Sequence, residues 1–437
     1  MPCVRWERDR HVASTKIMPA SDAFRVLVVS SKYPPEYAGS GLRAHCTYQR
    51  LAAKFGVEFD VLTGSVESNT SGSYVHEGVQ VQRIARKLLP ASEAEGQCKR
   101  LLRFVPGPAV RRLNYWSEAA STFRFLRGRR SQYDAIHVFG NVSVTSAAIS
   151  FARAFRVPFI VEMTSDRSNP HGWEPWIVAR LWGVRLPEWS RIVCISERLR
   201  RMCEAHGYVD NVWSRPNPVD ESRFFPEHRA RLAYRRRLTA FGDTDVVLSY
   251  VAKFMPSKNQ CFLVEMLSHL PDRFKLVLAG PVSDSGPLAE RDARYLASVR
   301  QTIAELGFEE RVQVIAEFVD AHELMKASDV YVFPSVNEGL GTPVIEAIAC
   351  GIPVVANRME GITDQWITEG ESGFLSGLAP AEFAARVDAA AKIEPKALLR
   401  RSSEILGIAS SEVIDRKYWE LLQEVRDTTR RKMSQPV

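Results

Sequence analysis

Residues 327–357, ASDVYVFPSVNEGLGTPVIEAIACGIPVVAN, hold the pattern that decides the fold. The apolar run VYVF predicts a buried strand, and NEGLG at 337–341 predicts a tight turn. VIEAIAC predicts a short helix that Gly351 ends, and VVA begins another strand. Thr342 is the expected N-cap of this helix, with Pro343 in its first turn. The free N–H groups at such a helix start favour an anion, such as a phosphate, above the glycine loop.

Two glutamates, Glu338 and Glu346, flank the start of this helix. Glu346 lies among apolar helix residues, where a carboxylate is unfavourable unless something hydrogen-bonds it. Sugar hydroxyls are suitable donors for such a carboxylate. In the alternative interpretation, Glu346 only complements the helix dipole and Glu338 is a solvated loop residue.

Outside this stretch, apolar runs alternate with helical patterns, which predicts doubly wound parallel sheets. The proline-rich segment 213–226 separates two such series. We therefore expect an N-terminal Rossmann-like domain at 21–215 and a C-terminal one at 216–411. The final segment, 412–437, is a long predicted helix that crosses back to the first domain. The predicted strands are 24–31, 57–64, 79–86, 134–140, 157–165, 190–196, 245–254, 275–281 and 311–318, besides the two in the opening stretch.

Length and composition are those of an ordinary globular protein. The 437 residues allow two or three domains, and 45% are hydrophobic and 25% charged. Seven scattered cysteines without a C-x-x-C pair argue against a disulfide scaffold and against a zinc site, and favour a reducing cytosol. No apolar run reaches the roughly 18–20 residues that span a bilayer. Residues 1–20 lack the apolar core of a signal peptide and predict a disordered extension.

The net charge of +7 suits an anionic ligand, an anionic membrane or nucleic acid. Basic residues are concentrated at 83–132. Within this segment, 109–127 predicts a helix with the apolar face Val110, Leu113, Trp116, Ala120 and Phe123. This helix is either an ordinary crossover helix or a contact with an anionic membrane. In the second case, the cytoplasmic protein lies at the inner face of the membrane. Nucleic acid is not an expected partner, because no binding motif is present and aromatic residues do not alternate with the basic ones.

Ligands of open parallel sheets bind at the carboxyl ends of the strands, so two facing domains predict a site in the cleft between them. Lys253 and Lys258 follow the first strand of the second domain. Both can reach a diphosphate bound at the neighbouring glycine loop. Alternatively, they are ordinary surface lysines.

The segment FPSVNEGLGTPVIEAIACGIPVVAN resembles the donor-binding signature of the retaining glycosyltransferases of family 4. PPEYAGSGLRAHCTYQRLA is similar to the first-domain glycine loop of this family, and VAKFMPSKNQCFLVEML to its basic diphosphate loop. The resemblance covers the chain except residues 1–20 and about 85–132. It implies the GT-B fold, in which two Rossmann-like doubly wound parallel-sheet domains face a central cleft.

The resemblance also implies roles for individual residues. Glu338 would hold a hydroxyl of the transferred sugar, and Glu346 would bind the nucleotide ribose. Lys253 and Lys258 would neutralise the leaving diphosphate and, with Glu338, form the catalytic group. The implied donor-binding residues are Ser40, Gly41, Gly339, Leu340, Gly341, Thr342 and Glu346.

The implied reaction moves a hexose-type sugar from a nucleotide diphosphate sugar to a glycan or lipid-linked acceptor, with retention of anomeric configuration. It requires no cofactor and no metal, because cationic side chains and a helix dipole stabilise the leaving group. No Asp-x-Asp motif stands in a suitable loop. The alternative is a catalytically silent subunit that binds nucleotide sugars or a partner on the same fold.

Several positions depart from the family pattern. Lys253 replaces the more frequent arginine and loses bidentate geometry, while Asn259 and Ser40 each replace a glycine. The family often has a histidine after the strand at 157–165. Here the candidates for a sugar or acceptor contact are Glu162, Thr164 and Asp166. The acceptor itself is expected to bind the first domain.

Overall fold

The computed structural model of the chain describes residues 23–434, except 37–38, 66–70, 85–106, 165–186, 188 and 284–288. The predicted extension at 1–20 and the candidate Asp166 lie outside the described residues. Within them the chain forms two sheets with helices packed on their faces, which confirms the predicted fold class.

The first sheet has eight described strands in the order β3-β4-β2-β1-β5-β6-β7-β8. All neighbours are parallel except the edge hairpin β3–β4. Its strands are β1 Arg25–Ser30, β2 Glu58–Thr63, β3 Gly72–His76, β4 Val79–Arg83, β5 Ala135–Phe139, β6 Phe159–Met163, β7 Ser190–Cys194 and β8 Val212–Ser214.

The second sheet is parallel in all of its described pairs, with the order β11-β10-β9-β12-β13-β14. The run VYVF is fully buried as predicted, since both faces of this sheet are covered by helices. The strands are β9 Val246–Val251, β10 Phe274–Ala279, β11 Val312–Ile315, β12 Val330–Phe333, β13 Val354–Asn357 and β14 Gly373–Ser376.

The described α-helices connect these strands and close the chain. They are α1 Gly39–Phe55, α2 Gly107–Arg127, α3 Ser143–Phe155, α4 Glu197–Ala205, α5 Arg231–Leu238, α6 Gln260–Leu267, α7 Ala289–Leu306, α8 Ala321–Ala327, α9 Thr342–Ala349, α10 Pro380–Ala390, α11 Pro395–Ala409 and α12 Ser411–Ser434. In the part of the chain that the structure describes, no helix is long and apolar enough to cross a membrane.

The strand orders determine where a ligand can bind. In the second sheet the chain runs from β9 to β10 on one side and returns to β12 on the other, so the loops after β9 and β12 diverge. Such a divergence leaves a crevice at the carboxyl ends of the two strands. In the first sheet, the corresponding crevice lies at the carboxyl ends of β1 and β5.

The final helix, α12, packs against the first sheet. Tyr418 and Leu422 are buried in the same core cluster as strands of that sheet. Asp415, which is fully buried, accepts hydrogen bonds from Arg50 and Lys54 of α1 at 2.9 and 3.0 Å. Trp419 stacks on Phe55, with 5.7 Å between ring centroids.

The structure adds one strand to the first sheet and corrects one local prediction. β3, which the sequence did not reveal, pairs with β4 in a hairpin, so the strand predicted at 79–86 lies inside the sheet. The apolar face predicted for α2 is only partly correct: Phe123 packs against the core, but Leu113 and Trp116 are each 49% exposed. The helix instead buries Ala119, Thr122 and Leu126. Thr122 tolerates burial because its hydroxyl donates to the Glu118 carbonyl at 2.8 Å.

Candidate functional site

The glycine loop after β12 positions the start of α9 at the crevice of the second sheet. Gly341 has φ 74°, a left-handed conformation that favours glycine, and it is the N-cap of α9. The prediction that Thr342 is the N-cap is therefore wrong by one residue. Thr342 begins the helix, and its hydroxyl accepts a hydrogen bond from Asn217 at 2.8 Å. This bond links the glycine loop to the segment between the domains.

Buried hydrogen bonds hold the glycine loop against its neighbours. Ser335 is fully buried, with its hydroxyl 2.7 Å from that of Tyr250, and its carbonyl accepts from the Asn357 side chain at 2.9 Å. The Val336 N–H donates to the Ser257 carbonyl at 3.0 Å. The loops after β9 and β12 therefore form one connected surface.

Lys258 and Glu338, predicted separately from the sequence, meet in this surface. Nζ of Lys258 donates to the Glu338 carboxylate, and both side chains are largely buried. Asn259, which replaces a glycine of the family pattern, adopts φ 59° and ψ 40°. Asparagine tolerates this left-handed conformation better than most residues, so the substitution leaves the backbone turn intact.

Lys253 is held by Asp292, a residue that the sequence did not reveal. The buried Asp292 carboxylate accepts from Lys253 Nζ at 2.9 Å and from the Ser283 hydroxyl at 2.6 Å. Its other oxygen accepts from the Arg291 guanidinium at 2.6 Å. Burial alone would raise the pKa of Asp292, but these three donors outweigh it and lower the pKa to about 2. Lys253 and Arg291 are thus two cations arranged around one carboxylate.

Glu346 is partly buried in the first turns of α9. Burial raises the pKa of its carboxyl to about 7, and Arg223 opposes this only weakly. Among the described residues, no side chain donates a hydrogen bond to it that would stabilise the carboxylate. A ligand that supplies hydroxyl donors here would satisfy the group.

The first domain forms the opposite wall of the cleft. A Cβ atom on Gly339 would lie 2.7 Å from the Thr164 carbonyl oxygen, so only glycine permits this approach of the two domains. The Thr164 carbonyl therefore lies next to the glycine loop, and its contact with a sugar or acceptor stays a prediction. Glycine is required at position 41 for a different reason, because a Cβ atom there would lie 2.2 Å from the Lys32 carbonyl oxygen. It allows α1, which also contains Ser40, to pack against the segment after β1.

The structure corrects the prediction that Glu162 contacts a ligand. Its side chain is fully buried, with both oxygens 3.0–3.1 Å from the Arg215 guanidinium. One oxygen also accepts from the Tyr418 hydroxyl and lies 3.3 Å from Nε2 of His137. Glu162 thus anchors α12 beneath the cleft. Arg215 and Tyr418 lie 53 and 256 residues away, too far for any sequence pattern to indicate.

The arrangement combines the features that a charged phosphorylated ligand requires. Cations at Lys258, Lys253 and Arg291 surround the crevice, and the N–H groups at the start of α9 add the positive end of a helix dipole. Glu338 and Glu346 add acceptors for hydroxyl groups. Such a surface can bind a diphosphate and a sugar side by side, and it can stabilise negative charge that develops on a leaving phosphate.

Two family models match the chain and together span most of it. The model described as glycosyl transferases group 1 matches residues 234–403, which contain the second sheet. The model described as a glycosyl transferase 4-like domain matches residues 38–219.

Curated relatives match over parts of their length. The chain is 37% identical over 182 residues to a D-inositol 3-phosphate glycosyltransferase of Geodermatophilus obscurus, covering 40% of this chain and 39% of the relative. It is 30% identical over 228 residues to a GDP-mannose-dependent alpha-(1-6)-phosphatidylinositol monomannoside mannosyltransferase of Mycolicibacterium smegmatis, covering 48% and 55%. These alignments span about half or less of each relative.

Solved structures match over nearly the whole chain. Alr3699/HepE of Anabaena in complex with UDP-glucose has a TM-score of 0.63 at 17% identity, with 92% of this chain and 99% of that chain covered. Sucrose-phosphate synthase of Thermosynechococcus elongatus has a TM-score of 0.67 at 17% identity, with 93% and 100% covered. At this identity the likeness establishes the fold.

Proposed function

The chain belongs to the glycosyl transferases of group 1, and from this premise we propose that it transfers a sugar from a nucleotide diphosphate sugar to an acceptor. The observation that carries the proposal is the meeting of Lys258 and Glu338 beside the start of α9. A cation, a carboxylate and a helix N-terminus at one crevice suit a diphosphate linked to a sugar. The matched Anabaena protein forms complexes with UDP and with UDP-glucose, which supports the donor class.

In the proposed mechanism, Lys258, Lys253 and the N–H groups at the start of α9 neutralise the diphosphate as it leaves. Glu338 accepts a hydrogen bond from the transferred sugar, and Glu346 accepts from the ribose. The acceptor hydroxyl attacks from the same face as the leaving diphosphate, so the anomeric configuration is retained. The diphosphate can take up the proton that the acceptor hydroxyl loses. Charge stabilisation by these fixed groups makes a divalent metal unnecessary for the transfer.

Nucleotide binding tests this proposal directly. UDP, GDP and ADP are each added at saturating concentration, and the Tm of the chain is measured. A ligand that binds only the folded state raises the Tm, so at least one nucleotide should do so. Transfer is then assayed with sugars of that nucleotide. A chain that binds none of the three lacks the proposed donor site, whereas binding without transfer or donor hydrolysis indicates a silent subunit.

Nucleotide affinity should decrease as the pH falls through about 7, because the pKa of the Glu346 carboxyl is raised to about 7. Ribose hydroxyls donate to the ionised form, so binding lowers this pKa and favours the deprotonated state. The Kd should therefore increase up to about tenfold per pH unit below 7. Titrations from pH 5.5 to 8 measure this, with Glu346→Gln as the control. In the variant, the Kd should change with pH only through the titration of the nucleotide phosphates. An identical pH dependence of the Kd in the native chain and the variant would contradict the role of Glu346.

We also propose that α2 contacts an anionic membrane surface at which a lipid-linked acceptor is presented. Leu113 and Trp116 are exposed one turn apart and next to Arg112, so an apolar pair and a cation are available to a surface of anionic headgroups. Binding to phosphatidylglycerol vesicles at low salt should exceed binding to phosphatidylcholine vesicles. Trp116→Ser should lower it severalfold, while Leu306→Ser, at an exposed site of the second domain, should not. Equal binding by these two variants would refute the contact.

A further inference from the structure

We propose that His45, His76 and Glu77 bind a zinc ion at the edge of the first sheet. The three residues come from α1, from the end of β3 and from the turn that follows β3. One potential ligand atom of each lies within 4.8 Å of the other two. Zinc ligands about 2.0–2.2 Å from the ion lie about 3.4 Å apart in a tetrahedron, so small side-chain movements would suffice.

The backbone at Glu77 is unusual in a way that serves this cluster. Glu77 and Gly78 connect β3 to β4 and both have positive φ, 46° and 80°. Two-residue hairpin turns of this kind normally carry Asn-Gly, because glutamate is unfavourable in the left-handed region. The turn nevertheless places the Glu77 carboxylate 2.9 Å from Nε2 of His45. A strained non-glycine residue held in place by its surroundings is a recognised sign of a functional position.

The His45 ring is oriented by a hydrogen bond to its other nitrogen. Nδ1 lies 2.7 Å from the Tyr33 hydroxyl, and the ring is 4% exposed. When Nδ1 carries the proton and donates to Tyr33, the lone pair of Nε2 points toward Glu77 and His76. Metal-binding histidines are commonly fixed in this way by a hydrogen bond from the nitrogen that does not bind the ion.

The ligand set indicates which ion fits. Two imidazoles and one carboxylate, with water in the fourth position, form a zinc site of the three-ligand type, whereas calcium and magnesium prefer oxygen alone. The three proposed ligands include no cysteine.

A bound zinc ion would tie the β3–β4 hairpin to α1 at the edge of the first sheet. Tyr33, which contacts His45, lies in the segment after β1, and the Tyr74 hydroxyl of β3 donates to the Pro34 carbonyl at 2.9 Å in the same segment. The ion would therefore hold this segment at the carboxyl edge of the first sheet. The proposal does not rest on the proposed function.

Zinc titrations of the untagged, metal-stripped chain test the site. Isothermal calorimetry should give one equivalent at micromolar or tighter Kd, with a rise in Tm at saturating zinc. His76→Asn and Glu77→Asn should weaken binding by at least about tenfold and remove the rise in Tm. Asparagine suits the left-handed turn, so Glu77→Asn should fold. His269→Asn, at an exposed histidine of the second domain, is the matched control and should bind zinc normally. Equal affinity in all four proteins, or no binding by the native chain, would overturn the proposal.

Discussion

Lys258→Ala should reduce the kcat of sugar transfer by about 10²–10³-fold, without a comparable change in Tm. The expected reason is the position of Nζ, beside the glycine loop at the crevice between β9 and β12. As the bond to the sugar breaks, negative charge accumulates on the diphosphate. A fixed ammonium group stabilises that charge more than it stabilises the bound donor, so its removal lowers kcat more than it raises KM.

The surroundings of Lys258 define the controls. Removing its charge also leaves the Glu338 carboxylate without its partner, so Lys258→Arg, which keeps a positive charge, should retain far more activity than the alanine variant. Lys275→Ala provides the matched lysine control, because Lys275 is the second residue of β10, at the amino ends of the strands and away from the crevice. It should leave kcat within a factor of about two. A Lys258→Ala enzyme with more than a tenth of native kcat would refute the assigned role.

The order of secondary structure could be predicted because each element leaves a local pattern. VYVF is apolar over four residues and is buried on both faces, and Gly351 ends α9 with φ 71° as its position suggested. Lys258 and Glu338 could be found for the same reason, since each lies in a short segment that resembles a known signature. Their contact followed from the fold, which brings the loops after β9 and β12 together.

The remaining features depend on contacts between residues that are distant in the chain. The Asp292 carboxylate holds Lys253. The sequence around Asp292, however, does not distinguish it from other acidic residues at the start of a helix. The apolar face of α2 was predicted from periodicity alone. The helix instead packs through Ala119 and Thr122, and Leu113 and Trp116 remain exposed. Glu162 was predicted at the cleft because it lies near the end of β6, but strand residues alternate in direction and its side chain points into the core.

The largest expected effect on stability lies at this misassigned residue. Glu162→Gln should lower the free energy of unfolding at pH 7 by about 3–5 kcal/mol, because it leaves Arg215 buried with its charge uncompensated. Burial would raise the pKa of Glu162, but Arg215, His137 and Tyr418 together lower it to about 2. The stabilisation is therefore complete above the unfolded-state pKa of about 4.5 and is lost as the pH falls toward 2. Neutral pH is the right condition for the measurement.

A double-mutant cycle separates the ion pair from general damage to the core. Arg215→Met alone should destabilise the chain by a similar amount, since it leaves the carboxylate buried without its main partner. The double variant Glu162→Gln/Arg215→Met removes both charges and should be less destabilised than the sum of the single variants, by about 2–3 kcal/mol. Arg416 and Glu412, an exposed pair 2.9 Å apart on α12, are the control, with an expected coupling below about 0.5 kcal/mol.

The cycle also tests what attaches the final helix to the first domain. The Tyr418 hydroxyl of α12 donates to a Glu162 oxygen that also accepts from Arg215. Loss of the carboxylate therefore removes a buried hydrogen-bond partner from α12 as well as from Arg215. Hydrogen exchange in α12 should therefore accelerate in Glu162→Gln more than in Arg416→Ala, because local opening becomes easier where a buried contact is lost. Additive single effects, with unchanged exchange in α12, would show that the pair and the helix are energetically independent.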